Sequence, residues 1–175
     1  MHPEQKQFIE RVRLLFPTKF IGGKVLDVGS MDINGNNRQF FYQSEYVGMD
    51  IAPGPNVDIV NDLPDKEFQW FGDYFDTVIS TECMEHNKHY RNTIKEMYRV
   101  LKPGGLMLMT MASHKRPEHG TKKNDPIASP HTGDYYKNLY IADLADVLQW
   151  EVYFFPYCFE YSGAYDLYFY GIKTL

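Results

Sequence analysis

Apolar positions along the chain fall into alternating helical stripes and short runs. Residues 3–16 put Phe8, Ile9, Val12, Leu15 and Phe16 on one helical stripe, and Pro17 ends it. Lys24-Val25-Leu26-Asp27-Val28 is a short apolar run that stops on Gly29, which predicts a buried strand. The polar segment 29–37 predicts a turn, and residues 38–43 a short helix. Residues 46–50 predict a second strand, and Ala52-Pro53-Gly54-Pro55 a rigid loop that neither helix nor strand can pass through. Residues 57–60 form a third short run, closed by Asn61-Asp62-Leu63-Pro64, and residues 75–80 a fourth.

A helix over 88–101 presents Tyr90, Ile94, Met97, Tyr98 and Leu101 on one face, and Pro103-Gly104-Gly105 stops it. Residues 106–111 are almost wholly apolar, as suits a central strand covered on both faces. Residues 112–138 lack periodicity, and a loop of that length inside a compact domain is usually functional or mobile. A helix over 139–149 turns Ile141, Leu144 and Leu148 inward; residues 151–159 and 165–173 then read as two strands of an antiparallel pair. Seven strand-like runs alternating with helices predict a three-layer α/β sandwich.

Composition narrows the function classes. With 175 residues, 43% of them hydrophobic, the chain is expected to be one packed domain spanning 1–175. A net charge of −5 argues against a general nucleic-acid binder. No apolar run approaches the roughly 20 residues a bilayer span needs, and the start lacks the pattern of a signal peptide. Cys83 and Cys158 lie far apart and make no metal-like pair, so a reduced, cytoplasmic setting is expected. Asp58 and Asp62 flank one loop, but with no tight cluster of ligands no metal is expected.

The chemistry concentrates at two strand ends. Asp27 closes the first apolar run, and Gly29 permits a sharp turn that brings backbone N–H groups close to a ligand. Asp50 ends the second run; an acid there, roughly 20 residues past a glycine turn, is placed to hold a ribose diol. An adenosine-containing cofactor follows. A nicotinamide-dependent dehydrogenase would need a G-x-G-x-x-G turn and room for a substrate domain, and neither is present.

The order Val25-Leu26-Asp27-Val28-Gly29-Ser30, Tyr46–Asp50, Asn61–Pro64, Phe75–Ser80, Glu82-Cys83-Met84-Glu85-His86 and Arg99–Gly105 resembles the class I S-adenosylmethionine-dependent methyltransferases. It looks most like the broad group related to quinone-biosynthesis methyltransferases. The likeness is close over residues 20–111 and extends by element order beyond them. It implies a Rossmann-like αβα sandwich with a mostly parallel seven-stranded sheet and an antiparallel C-terminal strand. The usual D-x-G-x-G-x-G motif is altered, since Met31 and Ile33 replace the later glycines and Gly35 follows two positions on.

By that resemblance the backbone of Gly29, Ser30 and Met31 runs along the amino-acid part of S-adenosylmethionine, with Asp27 orienting the loop. Asp50 takes the ribose hydroxyls and Ile51 packs on the adenine; Asp62 and the Leu63 amide meet the adenine edge. Thr81 and Glu82 follow the fourth strand, where backbone carbonyls face the methionine ammonium. His86 and His114 are the candidate catalytic bases, and Cys83 reads as a small buried residue. The loop holding His114, His119, His131, Asp134, Tyr135 and Tyr136 covers the acceptor pocket. A base-directed methyltransferase would carry an Asn/Asp-Pro-Pro-aromatic run after the fourth strand, where this chain has Ser80-Thr81-Glu82-Cys83. The expected activity is methyl transfer to a hydroxyl of a small molecule or glycan, with S-adenosylhomocysteine as product. The rival is a non-catalytic cofactor-binding or scaffold protein.

Overall fold

The computed structural model describes residues 2–61, 68–163 and 165–175. Its seven strands are β1 (Lys24–Val28), β2 (Glu45–Asp50), β3 (Ile59–Val60), β4 (Phe75–Thr81), β5 (Leu101–Ala112), β6 (Phe154–Tyr161) and β7 (Asp166–Lys173). They form one sheet in the order β3-β2-β1-β4-β5-β7-β6. The pairs β1–β2, β1–β4, β2–β3 and β4–β5 are parallel, while β7 runs antiparallel to both β5 and β6. This is the class I methyltransferase fold, with its antiparallel C-terminal strand inserted between β5 and β6.

Period-two alternation sends neighbouring side chains of each strand into opposite layers. Val25, Ile79, Leu106 and Leu108 pack with Phe8, Ile9 and Val12 of α1 (Pro3–Leu15). Leu26, Val78, Met107 and Met109 pack with Ile94, Met97 and Val100 of α2 (Tyr90–Val100). Both helices are amphipathic, which is why each covers one face of the sheet. Burying one such side chain stabilises the fold by about 2 kcal/mol. Among the described residues, no helix is long and apolar enough to cross a membrane.

Several local expectations change. Leu15 is 54% exposed rather than part of the α1 stripe. Segment 38–43 contributes only a 3₁₀ turn at Arg38–Phe40, and the third strand shrinks to two residues. Pro103-Gly104-Gly105 does not separate helix from strand, because the extended chain of β5 already begins at Leu101, opposite Phe75.

The helix expected over 139–149 shrinks to a single turn, α3 (Ile141–Leu144), and another single turn, α4 (Trp150–Tyr153), takes the start of the segment expected as strand from 151. The Leu144 carbonyl, which a continuing helix would use, accepts the Val147 N–H at 2.9 Å and the Trp150 indole N–H at 2.8 Å. The indole anchors in the core against Phe154 and Phe169, and that burial outweighs one more helical hydrogen bond.

Candidate active site

The carboxyl ends of β1, β2 and β4 open onto a cavity of about 1090 Å³. It lies where the strand order reverses between β1 and β4, the place where open α/β sheets bind ligands. Asp27, Gly29, Ser30, Met31, Asp50, Ile51, Thr81, Glu82 and His86 all line it. Asp62 and Leu63 lie outside the described residues.

At the end of β1, Asp27 is fully buried. Its carboxylate accepts a hydrogen bond from the Tyr46 hydroxyl and bonds at 3.1 and 3.2 Å from the Asn37 side-chain amide. That amide also donates to Thr81 Oγ1 at 3.0 Å, tying the ends of β1 and β4 together. Burial pushes the Asp27 carboxyl up to about 6, against the pull of the Tyr46 and Asn37 hydrogen bonds.

Gly29 follows at φ +78°, and a Cβ there would lie 2.4 Å from Cys83 Sγ. The turn therefore needs glycine for its backbone angle and for space. Cys83 is the packing partner beneath it, and burial raises its thiol, so it is no nucleophile at neutral pH.

The altered turn after Gly29 is held by side chains in place of the missing glycines. Asp32 accepts the Gly35 N–H and the Asn36 side-chain amide, each at 2.7 Å. Asp50 accepts the Met31 N–H on Oδ2 at 2.9 Å and the Ile51 N–H on Oδ1 at 2.7 Å. Each Asp50 oxygen thus keeps a lone pair, which suits two vicinal hydroxyls. Burial raises the Asp50 carboxyl, while the backbone N–H groups of Met31, Ile51 and Ala52 and His131 from the long loop draw it down.

The far half of the cavity is built differently. The short turn Met84–His86 after β4 buries Glu85 and His86. The long loop returns over them, pinned by hydrogen bonds from Lys137 N to Glu85 O and from Leu139 N to Ala112 O, each 2.9 Å. His119 packs edge-on to His86 at 5.0 Å between ring centroids, and Tyr136 flanks both rings. Burial, then the neighbouring His119, lowers the His86 imidazole to about 4, so its ring is neutral at physiological pH.

Neither carboxylate oxygen of Glu85 has a hydrogen-bond partner of normal geometry, and His86 Nδ1 has none. Ligand atoms of Glu85, His86 and His119 lie within 4.8 Å of one another. Burial and then Glu82 raise the Glu85 carboxyl well above the ordinary range.

Beside this group, Arg116 ion-pairs with Asp166 and lies 3.4 Å from Glu82, with its other terminal nitrogen 2.7 Å from His2 Nε2. Glu82 itself adopts φ +51° and accepts a hydrogen bond from Thr110 Oγ1 at 3.1 Å. His114 is exposed and faces Tyr161 at 5.8 Å between ring centroids; it is not among the cavity-lining residues.

Among the wall residues, His2 and Gln5 at the start of α1 were given no role by the sequence, and His119 was placed only in the loop over the acceptor pocket. Gln5 left a trace, as the one polar position on the buried α1 face.

A seven-stranded sheet in this order, with a cavity at the β1–β4 switch, defines the class I methyltransferase fold. The chain belongs to the methyltransferase-domain family, which matches residues 2–153. No curated protein shows a significant sequence match.

Three solved structures illustrate the likeness. The PH0226 protein from Pyrococcus horikoshii OT3 is 18% identical with a TM-score of 0.66, over 99% of this chain and 93% of that one. The 1,6-didemethyltoxoflavin-N1-methyltransferase of Burkholderia thailandensis, solved with 1,6-didemethyltoxoflavin and S-adenosylhomocysteine, is 15% identical with a TM-score of 0.61, over 100% and 92%. Phosphoethanolamine N-methyltransferase 2 of Haemonchus contortus, solved with S-adenosyl-L-methionine, is 17% identical with a TM-score of 0.62, over 94% and 53%. This chain therefore spans about half the length of the Haemonchus chain. At these identities the likeness is one of fold.

Proposed function

We propose that this chain transfers a methyl group from S-adenosylmethionine to a hydroxyl of a small molecule or glycan. The observation that carries the reading is one continuous cavity, running from the glycine turn and Asp50 to a wall of histidines. The near half matches a nucleoside and an amino acid. Asp50 offers two acceptor oxygens to the ribose, Ile51 offers an apolar surface to the base, and the Gly29–Met31 backbone borders the amino-acid end. When bound, the cofactor supplies a methyl group already activated on a sulfonium, so the protein needs no electrophile of its own.

The chain's residues supply position. Holding the acceptor oxygen in line with the methyl carbon at near-attack distance accounts for much of the rate. With S-adenosylmethionine held there, the acceptor oxygen would take the methyl group and sulfur would keep the electron pair of the broken bond. The hydroxyl proton leaves toward the wall formed by His86 and His119. His114 lies outside that wall, so His86 carries the catalytic assignment. A cytoplasmic setting fits the two unpaired cysteines, Cys83 and Cys158.

The test is calorimetric titration with S-adenosylmethionine and S-adenosylhomocysteine. Micromolar binding that Asp50→Ala weakens at least about tenfold, roughly the 1.4 kcal/mol of a lost charge-assisted pair, supports the reading. Absence of binding by the unaltered protein sinks it and favours a scaffold.

A further inference from the structure

We propose that Glu85, His86 and His119 form a binding site for a divalent transition-metal ion at the acceptor end of the cavity, with open positions for an acceptor oxygen. Two imidazoles and one carboxylate are the donor set preferred by zinc, iron, cobalt or manganese over magnesium or calcium. The three ligand atoms already lie within 4.8 Å of one another. Metal–ligand bonds of about 2.1 Å hold donors at most about 4.2 Å apart, so binding draws the three side chains closer together than they stand without an ion.

The unmet needs of the side chains point the same way. Glu85 is fully buried, and neither of its oxygens has a hydrogen-bond partner of normal geometry, although the backbone N–H groups of Glu85 and Ala112 lie close enough to draw its carboxyl down. His86 is 5% exposed, and its Nδ1 is buried without a partner. Buried acceptors left unpaired are costly, and a cation would satisfy all three. The nearest guanidinium does not do so, because Arg116 is engaged with Asp166, Glu82 and His2. His119 Nδ1 lies 3.0 Å from the Pro117 carbonyl. A proton on that nitrogen leaves Nε2 free to ligate, and such a hydrogen bond commonly fixes the tautomer of a metal-binding histidine.

His86 and His119 also line the cavity, so open coordination positions would face the acceptor. The site rests on the methyl-transfer reading for its purpose. A hydroxyl bound to the ion loses its proton to water more readily, and the oxygen is fixed in place for attack. His86 then acts as a ligand, and the ion orients the acceptor.

The experiment uses the full chain stripped with a chelator and titrated with cobalt(II) chloride, read by visible absorption and by calorimetry. One cobalt per chain is expected, with Glu85→Gln and His119→Ala each weakening binding on the order of 100-fold. His114→Ala, outside the cluster, should leave the titration unchanged. Acetohydroxamate, an oxygen chelate, should shift the cobalt spectrum if coordination positions are open.

No uptake, or equal uptake by His119→Ala, overturns the metal site; an unshifted spectrum overturns its open positions. S-adenosylhomocysteine is titrated into the same samples. Nucleoside binding without cobalt uptake refutes the ion and leaves the methyltransferase reading standing. Cobalt uptake without nucleoside binding supports the ion and sinks that reading. Retained nucleoside affinity in Glu85→Gln shows that the variant is folded, so its lost cobalt binding counts for the site.

Discussion

The two halves of the cavity are built on opposite principles. In the half at Asp27, Gly29 and Asp50 the carboxylate oxygens are all hydrogen-bonded, with partners from β2, the segment between β1 and β2, and the residue after β2, and Asn37 Oδ1 alone is left as a buried acceptor without one. In the half at Glu85, His86 and His119, the buried acceptors Glu85 Oε1, Glu85 Oε2 and His86 Nδ1 lack partners, and the third side chain arrives from a distant loop. A satisfied polar network is rigid before its ligand arrives; an unsatisfied one is incomplete until something fills it. The first half is preorganised, and the second awaits a ligand.

The largest effect should come from Gly29→Ala. The added Cβ meets Cys83 Sγ at 2.4 Å, and φ +78° disfavours any side chain. We expect a loss of about 3 kcal/mol in stability, combining overpacking with left-handed strain. Denaturant unfolding measures it, and the double variant Gly29→Ala/Cys83→Ala should recover the packing part only. A loss under ~1 kcal/mol would show that the turn gives way and the first half is less rigid than its hydrogen bonds indicate.

Next comes the acid at the end of β1. Burial holds the Asp27 carboxyl at about 6 in the fold, above its ordinary value of 3.8. The native state therefore binds this proton more tightly than the unfolded chain does. Its stabilising contribution is present below about pH 4 and is lost as pH rises through about 6, amounting to about 3 kcal/mol. Asp27→Asn should flatten that slope when unfolding is measured from pH 4 to about pH 7. An unchanged slope would mean that Tyr46 and Asn37 already hold the carboxylate ionised, making the half still more preorganised.

This contrast also explains what the sequence made legible. Asp27, Gly29 and Asp50 were readable because each ends a short apolar run and acts near its own position in the chain. α1, α2 and all seven strands were readable from the run and stripe pattern, whereas the insertion of β7 between β5 and β6 depends on long-range pairing. The helix lost at 139–149 turned on one tryptophan reaching back to the Leu144 carbonyl. His119 could not be told from His114 or His131, since the path of an aperiodic loop decides which histidine faces inward. Glu85 stood in the sequence only as part of the Glu82–His86 run; its burial without a well-formed hydrogen bond is visible only in the fold.

A second left-handed glycine gives the smallest effect and the sharpest comparison. Gly120, at φ +65°, presses on the far half as Gly29 presses on the near one: a Cβ there would lie 2.7 Å from His86 Cε1 and 2.7 Å from Ser129 Cβ. Because the loop around it is largely exposed and can shift, Gly120→Ala should cost only about 1–2 kcal/mol. The His86 ring should move, seen as displaced imidazole signals in a proton–nitrogen spectrum. Affinity for S-adenosylhomocysteine should stay within about twofold, under ~0.5 kcal/mol, because no partner of Asp27 or Asp50 is touched. If that affinity instead falls about tenfold, as far as expected for Asp50→Ala, the two halves are coupled through the turn at Met84–His86. The division between a preorganised half and one that awaits a ligand would then fail.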